Sequence, residues 1–228
     1  MSEFDSQHPG QMIPAPQPEQ GSVMAALEEL EAGKLAQYAQ HVSIDGVLAQ
    51  TISVQLRRGQ SMWASKGSIL AHSEGIQWAL KVPGGAGKAV GRVLSGESVS
   101  LTHITTQRPG AEVVLSANQS GKLVTWDLAR GPIVCTSGSF VAALGDVDID
   151  VTVARSAGAA LFGGGGLFMQ RLSGTGVVVI HGAGDFIERQ LIPGEKFLVS
   201  TGNLAVFSGE VNYNVRSVGG CFKALFGG

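Results

Sequence analysis

Residues that would carry a chemical or targeting signal are scarce in this 228-residue chain. It has only two cysteines, Cys135 and Cys221, with no CxxC or Cys/His spacing. That excludes a zinc cluster or disulfide framework and makes a reduced compartment the expectation. Charged residues are 15% of the chain and the formal net charge is −2, so no general basic field exists for phosphate backbones and nucleic acid is disfavoured. No run approaches the roughly 18 apolar residues of a membrane-spanning helix. The first basic residue is Lys34, while Glu3, Asp5 and Glu19 precede it, which fits neither a secretory signal nor an organelle transit peptide. A cytoplasmic protein is expected, with peripheral attachment as the remaining mode of membrane contact.

Glycine and apolar residues are abundant. Hydrophobic residues make up 44% of the chain, enough for a sizeable core, and 33 glycines without a Gly-X-Y period point to many turns between short strands. Residues 1–21 hold four prolines between Pro9 and Pro18 among Gln, Ser and Glu, a composition that cannot offset its own ordering entropy and reads as a disordered arm. Ser22 is placed to cap a short helix over 22–40, with Met24, Leu27, Leu30, Leu35 and Tyr38 as an imperfect apolar stripe. From His41 the period becomes two.

Within 41–228 the sequence repeats. Residues 134–164 lie on 198–228 at a constant offset of 64 without a gap, with Gly138/Gly202, Gly145/Gly209, Val147/Val211 and Val151/Val215 identical and the run ALFGG of 160–164 recurring at 224–228. A fainter copy places Gly67 on Gly138. Each copy has a polar-Gly turn (Lys66-Gly67, Ser137-Gly138, Thr201-Gly202), then a turn pairing an acid with glycine, then a strand of strict alternation. The alternating sets are Ile76, Trp78, Leu80 and Val82; Val147, Ile149, Val151 and Val153; and Val211, Tyr213 and Val215. Each should bury one face. The fold expected is all-β, three pseudo-symmetric repeats (about 41–127, 128–191 and 192–228) in a compact sandwich or barrel-like domain, with a short N-terminal helix. Segments 62–104, 133–172 and 197–228 should superpose about a pseudo-threefold axis. The third copy stops at Gly228 before its last strands, which would leave an open edge prone to pairing with another chain.

The segments CTSGSFVA, ALFGGGGLFMQRLSGTG and LIPGEKFLVSTGNLAVF resemble the mitochondrial-biogenesis family of the altered-inheritance-of-mitochondria type, which is grouped with tryptophan RNA-binding attenuator-like β folds. The resemblance covers about residues 41–228. It implies a three-repeat β structure and a homotrimer, with no catalytic residues to carry over. The Pro-rich arm, the helix and the short third repeat depart from the family pattern.

Enzyme signatures fail on spacing. GGAGKA has Val82 where a phosphate loop needs glycine and Ala89 where it needs a hydroxyl. The glycines of 163–166 lack the spacing of a dinucleotide fingerprint. His41, His72, His103 and His181 are isolated, with no HxH pair for a cupin-type metal site. No Gly-x-Ser-x-Gly elbow occurs, and Cys135, aligned with Ala64 and Val199, reads as a small buried strand residue. Trp63, Trp78 and Trp126 read as core or interface residues. The expectation is a protein without catalytic, cofactor or metal sites.

The Gly-rich loops carry large apolar residues where solvent loops carry polar ones. Leu94, Leu161, Phe162, Leu225 and Phe226, with Arg92 and Lys223 beside them, are the candidate interaction residues, for a membrane surface or a hydrophobic protein partner. The leading functional expectation is a non-enzymatic structural or interaction protein acting through homo-oligomeric assembly. The alternatives are a small-ligand or RNA-binding module and, third, a cupin-type metal enzyme.

Overall fold

The computed structural model describes residues 33, 35–83, 100–154 and 167–215. Helical conformation is present at Gly33, Leu35 and Ala36, and the rest of the span over which a helix was expected is turn or lies outside the described residues. Apart from two short 3-10 turns, Leu128–Arg130 and Thr201–Asn203, the regular structure that follows is β: β1 (His41–Asp45), β2 (Thr51–Leu56), β3 (Ser61–Ala64), β4 (Ile69–His72), β5 (Ile76–Lys81), β6 (Leu101–Thr106), β7 (Ala111–Ser116), β8 (Gly121–Asp127), β9 (Ile133–Thr136), β10 (Phe140–Ala154), β11 (Leu167–Ala183) and β12 (Val206–Ser208). They form two sheets. One has the order β1-β2-β7-β4, and the other β12-β9-β11-β10-β3-β6-β5, with β8 also on β11. Every pairing between strands is antiparallel. Neither sheet closes into a barrel among the described residues, so the barrel-like part of the expectation is corrected to two open sheets. Closure needs the first and last strands to pair, and β4 and β5 here end their sheets.

Alternation explains most strands. In β2, Ile52, Val54 and Leu56 are buried and the residues between them only partly so, as a half-buried strand requires. The same holds for Ala111, Val113 and Leu115 of β7. These two rows pack on Met62, Ala64, Ile76 and Ile104 of the other sheet to make a first core, to which Leu35, Ala39 and Val42 add from the N-terminal side. A second core contains Ile133, Cys135, Phe140, Val147, Ile149, Leu172, Val178 and Ile180. The long strands β10 and β11 are the wall between the two. Val141, Val177 and Val179 face the first core, while Phe140, Val178 and Ile180 face the second. This double burial is why residues 140–144 and 177–180 read as continuous apolar runs.

The two cores have matched frames. β3 and β5 flank β6 in one frame, and β9 and the second half of β10 flank the first half of β11 in the other. The registers coincide. Ala64 pairs Thr102, which pairs Leu80; Cys135 pairs Gln170, which pairs Val151. The outer pairings coincide too: β4 meets β7 with an irregularity between Ile69 and Ala71, and β10 meets the second half of β11 with one between Phe140 and Ala142. β8 on β11 corresponds in the same way to β2 on β7. What differs is continuity, since β10 and β11 run through where β4/β5 and β6/β7 are broken. They do so on glycine. Gly174 has φ +107°, and a Cβ there would lie 2.4 Å from the Asp146 carbonyl oxygen, so any side chain would be both strained and obstructed.

One further pairing links the frames. Ala142, Ala143 and Leu144 of β10 pair Ala64, Trp63 and Met62 of β3. In the same register Val206, Phe207 and Ser208 of β12 pair Cys135, Val134 and Ile133 of β9.

The expected burial of the alternating strands is met in one copy only. Val147 and Ile149 are buried, yet Trp78 and Leu80 are 54% and 49% exposed, and Val211 and Tyr213 are also open to solvent. Alternation marks a face suited to burial. It does not supply the surface that covers it.

Candidate functional site

The exposed apolar residues of β4 and β5 line an open concave site. The turn before β4, Lys66-Gly67, is fixed by Ser68, whose Oγ donates to the Ser65 carbonyl at 2.8 Å. Ser65 Oγ in turn donates to the Phe140 carbonyl at 2.7 Å. β4 then leaves with Leu70 and His72 exposed, and β5 returns with Trp78 and Leu80. Between them lies a cavity of about 670 Å³ lined by Leu70, Trp78, Leu80, Lys66, His72 and Thr102. His72 donates from Nδ1 to the Ser73 carbonyl at 3.1 Å. Behind the site, the Lys81 ammonium donates to Nδ1 of His103 at 3.1 Å, and the Trp63 ring meets that imidazole edge to face at 4.7 Å. Burial first, and the Lys81 charge second, hold the His103 pKa below the ordinary imidazole value, so the ring is neutral and able to accept that bond near pH 7.

The chemistry available is that of an apolar strip with a cation and an imidazole at its margin. Among the described residues no three His, Cys, Asp or Glu side chains come together to hold a metal ion. Cys135 is fully buried, and desolvation pushes its thiol up to about 12, which removes it as a nucleophile and agrees with its reading as a small core residue. Trp126 is half-buried against the second core, its Nε1 donating to the Gly131 carbonyl at 3.1 Å with the Arg130 guanidinium over its ring. Two buried polar atoms, Gln170 Oε1 and His181 Nε2, have no hydrogen-bond partner among the described residues.

A second apolar surface lies on residues 185–200, which follow β11 in neither strand nor helix. A bend at Pro193-Gly194 is tied by Arg189, whose guanidinium donates to Glu195 at 2.6 Å and lies over the Phe197 ring. Glu195 also accepts from the Ile192 N–H. These two hydrogen bonds, with the Arg189 charge, hold its carboxyl below the usual range. Beyond the bend, Phe197, Leu198 and Val199 are all exposed.

The seven candidate interaction residues of the Gly-rich loops, Arg92, Leu94, Leu161, Phe162, Lys223, Leu225 and Phe226, lie outside the described residues. The first two loops fall between strands that end in equivalent register, Lys81 opposite Leu101 and Ala154 opposite Leu167. Sequence reasoning missed the exposed set of Leu70, Trp78, Leu80, Phe197, Leu198 and Val199. The signal was present, since all six belong to strand-like apolar segments, but it is the signal of a buried strand.

Comparison with known proteins decides the family. The profile described as mitochondrial biogenesis AIM24 matches residues 42–228. The chain belongs to that family. It is similar to an uncharacterized protein of Streptococcus pyogenes serotype M6, 26% identical over 182 residues that cover 76% of this chain and 72% of the other. A Streptococcus pyogenes protein solved by X-ray crystallography is similar in fold, with a TM-score of 0.67 and 22% identity over 81% of this chain and 83% of that one. At that identity the likeness concerns the fold alone. No helix among the described residues of this family member is long and apolar enough to cross a membrane.

Proposed function

We propose that this family member is a non-enzymatic structural and interaction protein that works by assembling with further copies of itself. The observation that carries the reading is the pair of uncovered apolar surfaces, Leu70, Trp78 and Leu80 on one strand pair and Phe197, Leu198 and Val199 on another segment. Large apolar patches on a folded chain mark contact surfaces, because leaving them in water forfeits roughly 25 cal/mol per Å². The architecture beneath is three copies of one β unit of attenuator-like type with a short N-terminal helix ahead of it. The matched registers of the first two units and of β12 support it. A trimer is the state the family resemblance implies. The apolar Gly-rich loops at Leu94, Leu161, Phe162, Leu225 and Phe226, with Arg92 and Lys223, add a surface for an anionic membrane or a hydrophobic protein partner, from the cytoplasmic side.

Light scattering on the purified chain across a hundredfold concentration range tests the assembly. A multiple of 23.5 kDa that dissociates on dilution is the expected result, and a 23.5 kDa species throughout overturns the reading. A second reading, a small-ligand module, is favoured by the cavity of about 670 Å³ beside Trp78, a size typical of ligand clefts. Quenching of Trp78 fluorescence by small aromatic and acidic ligands would support it, and the absence of any saturable response would remove it.

A further inference from the structure

The molecule contains two examples of how one unit covers the next, and both uncovered surfaces fit the same rule. In the first example β3 lies along the start of β10, with Ala64, Trp63 and Met62 opposite Ala142, Ala143 and Leu144. Trp63 and Leu101, on the outer side of that unit, thereby join the second core, where Val147 and Ile149 are sealed. In the second example β9 lies along β12 in identical register. Applied a third time, the offsets of 71 and 64 residues that relate these strands place Val199, Leu198 and Phe197 opposite Ala71, His72 and Ser73. All six of these residues are exposed.

Resting on the assembly reading above, we propose that residues 197–199 of one copy add as a strand to the free edge of β4 in a second copy, completing the first core of that copy. β4 ends its sheet, paired to β7 on one side and to nothing among the described residues on the other. Its counterpart in the second unit, the start of β10, is paired on both sides, to β11 and to β3. The side chains agree. Leu198 takes the place that Trp63 holds in the first unit, and it arrives beside Trp78, the counterpart of the buried Ile149. Within one chain 197–199 and β4 are both open to solvent, so the strand comes from another molecule. The contact is head-to-tail, because the two surfaces differ, and such contacts close into a ring when the rotation allows. Main-chain hydrogen bonds supply the affinity and the apolar residues the register, as in strand addition generally.

The test uses full-length chains carrying Cys221→Ser, with Cys135 left buried and unreactive. His72→Cys and Leu198→Cys are made in separate chains, which are mixed, allowed to exchange and oxidised. Directly opposed strand residues come close enough for a disulfide. The expected product is a cross-linked pair at twice 23.5 kDa, in clear excess over either chain oxidised alone and over a mixture in which Gln77→Cys replaces His72→Cys. Both positions are exposed, so folding should survive, and circular dichroism of each chain checks it. Light scattering on the uncross-linked protein separates the two levels of the argument. Oligomers without the preferred cross-link overturn the strand pairing and leave assembly standing, whereas a monomer without it overturns both. A chain carrying both cysteines that closes on itself at monomer mass shows that the edge is filled from within and also overturns the proposal.

Discussion

Ile149 and Leu198 should respond in opposite ways to the same truncation. Ile149 is 4% exposed in the second core, among Cys135, Leu172 and Val147, so Ile149→Ala removes apolar carbons and leaves a hole that neighbours fill only in part. Such changes cost about 2–5 kcal/mol, and about 3 is a central value. With a urea slope of about 2.5 kcal/mol per M, the unfolding midpoint should fall by roughly 1.2 M. Leu198 is 69% exposed, so only about a third of its side chain is withheld from water in the isolated chain. Three carbons at about 0.8 kcal/mol each, scaled by that third, give about 0.8 kcal/mol and a midpoint shift of about 0.3 M. The assay is urea unfolding followed by far-ultraviolet circular dichroism at a concentration where the parent protein is dissociated, since association adds stability of its own. Light scattering on the same samples at higher concentration should show Ile149→Ala assembling like the parent and Leu198→Ala assembling at least tenfold more weakly. If Leu198→Ala costs as much folding stability as Ile149→Ala, the segment is part of a core. If it leaves assembly unchanged, it is no contact.

Gly174→Ala should lower the melting temperature by about 4–8 °C, taking at least about 2 kcal/mol for the left-handed backbone and the contact with the Asp146 carbonyl. Gly138→Ala, with open space around it, should change little by the same measurement. In a Cys221→Ser background, Cys135 should resist a thiol reagent at pH 8 until urea is added. Because its folded pKa is raised to about 12, its contribution to stability is intact below the unfolded thiol value near 9 and is lost as pH rises from there toward 12. Cys135→Ala should therefore flatten the alkaline fall in melting temperature. His103 is depressed, so its contribution is present above the ordinary imidazole value and is lost as pH falls below it. Lys81→Met should move the His103 titration, followed by NMR, back toward the ordinary value without reaching it, because burial remains the larger cause. A combined Leu161→Ser, Phe162→Ser, Leu225→Ser and Phe226→Ser variant should lose liposome binding with its melting temperature kept. Unchanged binding removes the loops from the interaction surface, and a lowered melting temperature assigns them to the core.

The all-β class, the turns and the matched units were legible in the chain itself, because their causes are local. Alternation of period two in TISVQL and AEVVLS requires a strand with one buried face, glycine at Gly67 meets the turn before β4, and an offset that sets Gly67 on Gly138 also sets Ala64 on Cys135. The buried, inert character of Cys135 followed from the same alignment. Tertiary structure decided what each strand lies against. Trp78 and Ile149 occupy one position in one pattern, and nothing near either residue distinguishes them. Ile149 is sealed because the preceding unit brings Trp63 and Leu101 to its core, while no strand among the described residues is laid over Trp78 in the same way. Continuity was likewise a long-range matter. β10 and β11 run unbroken, and are buried on both faces at the start of β10 and in the second half of β11, because two cores form on either side of them there, where β4 and β5 serve one core and stop. Local periodicity states which face a strand can bury, and only the arrangement of distant strands determines whether the chain itself provides the cover.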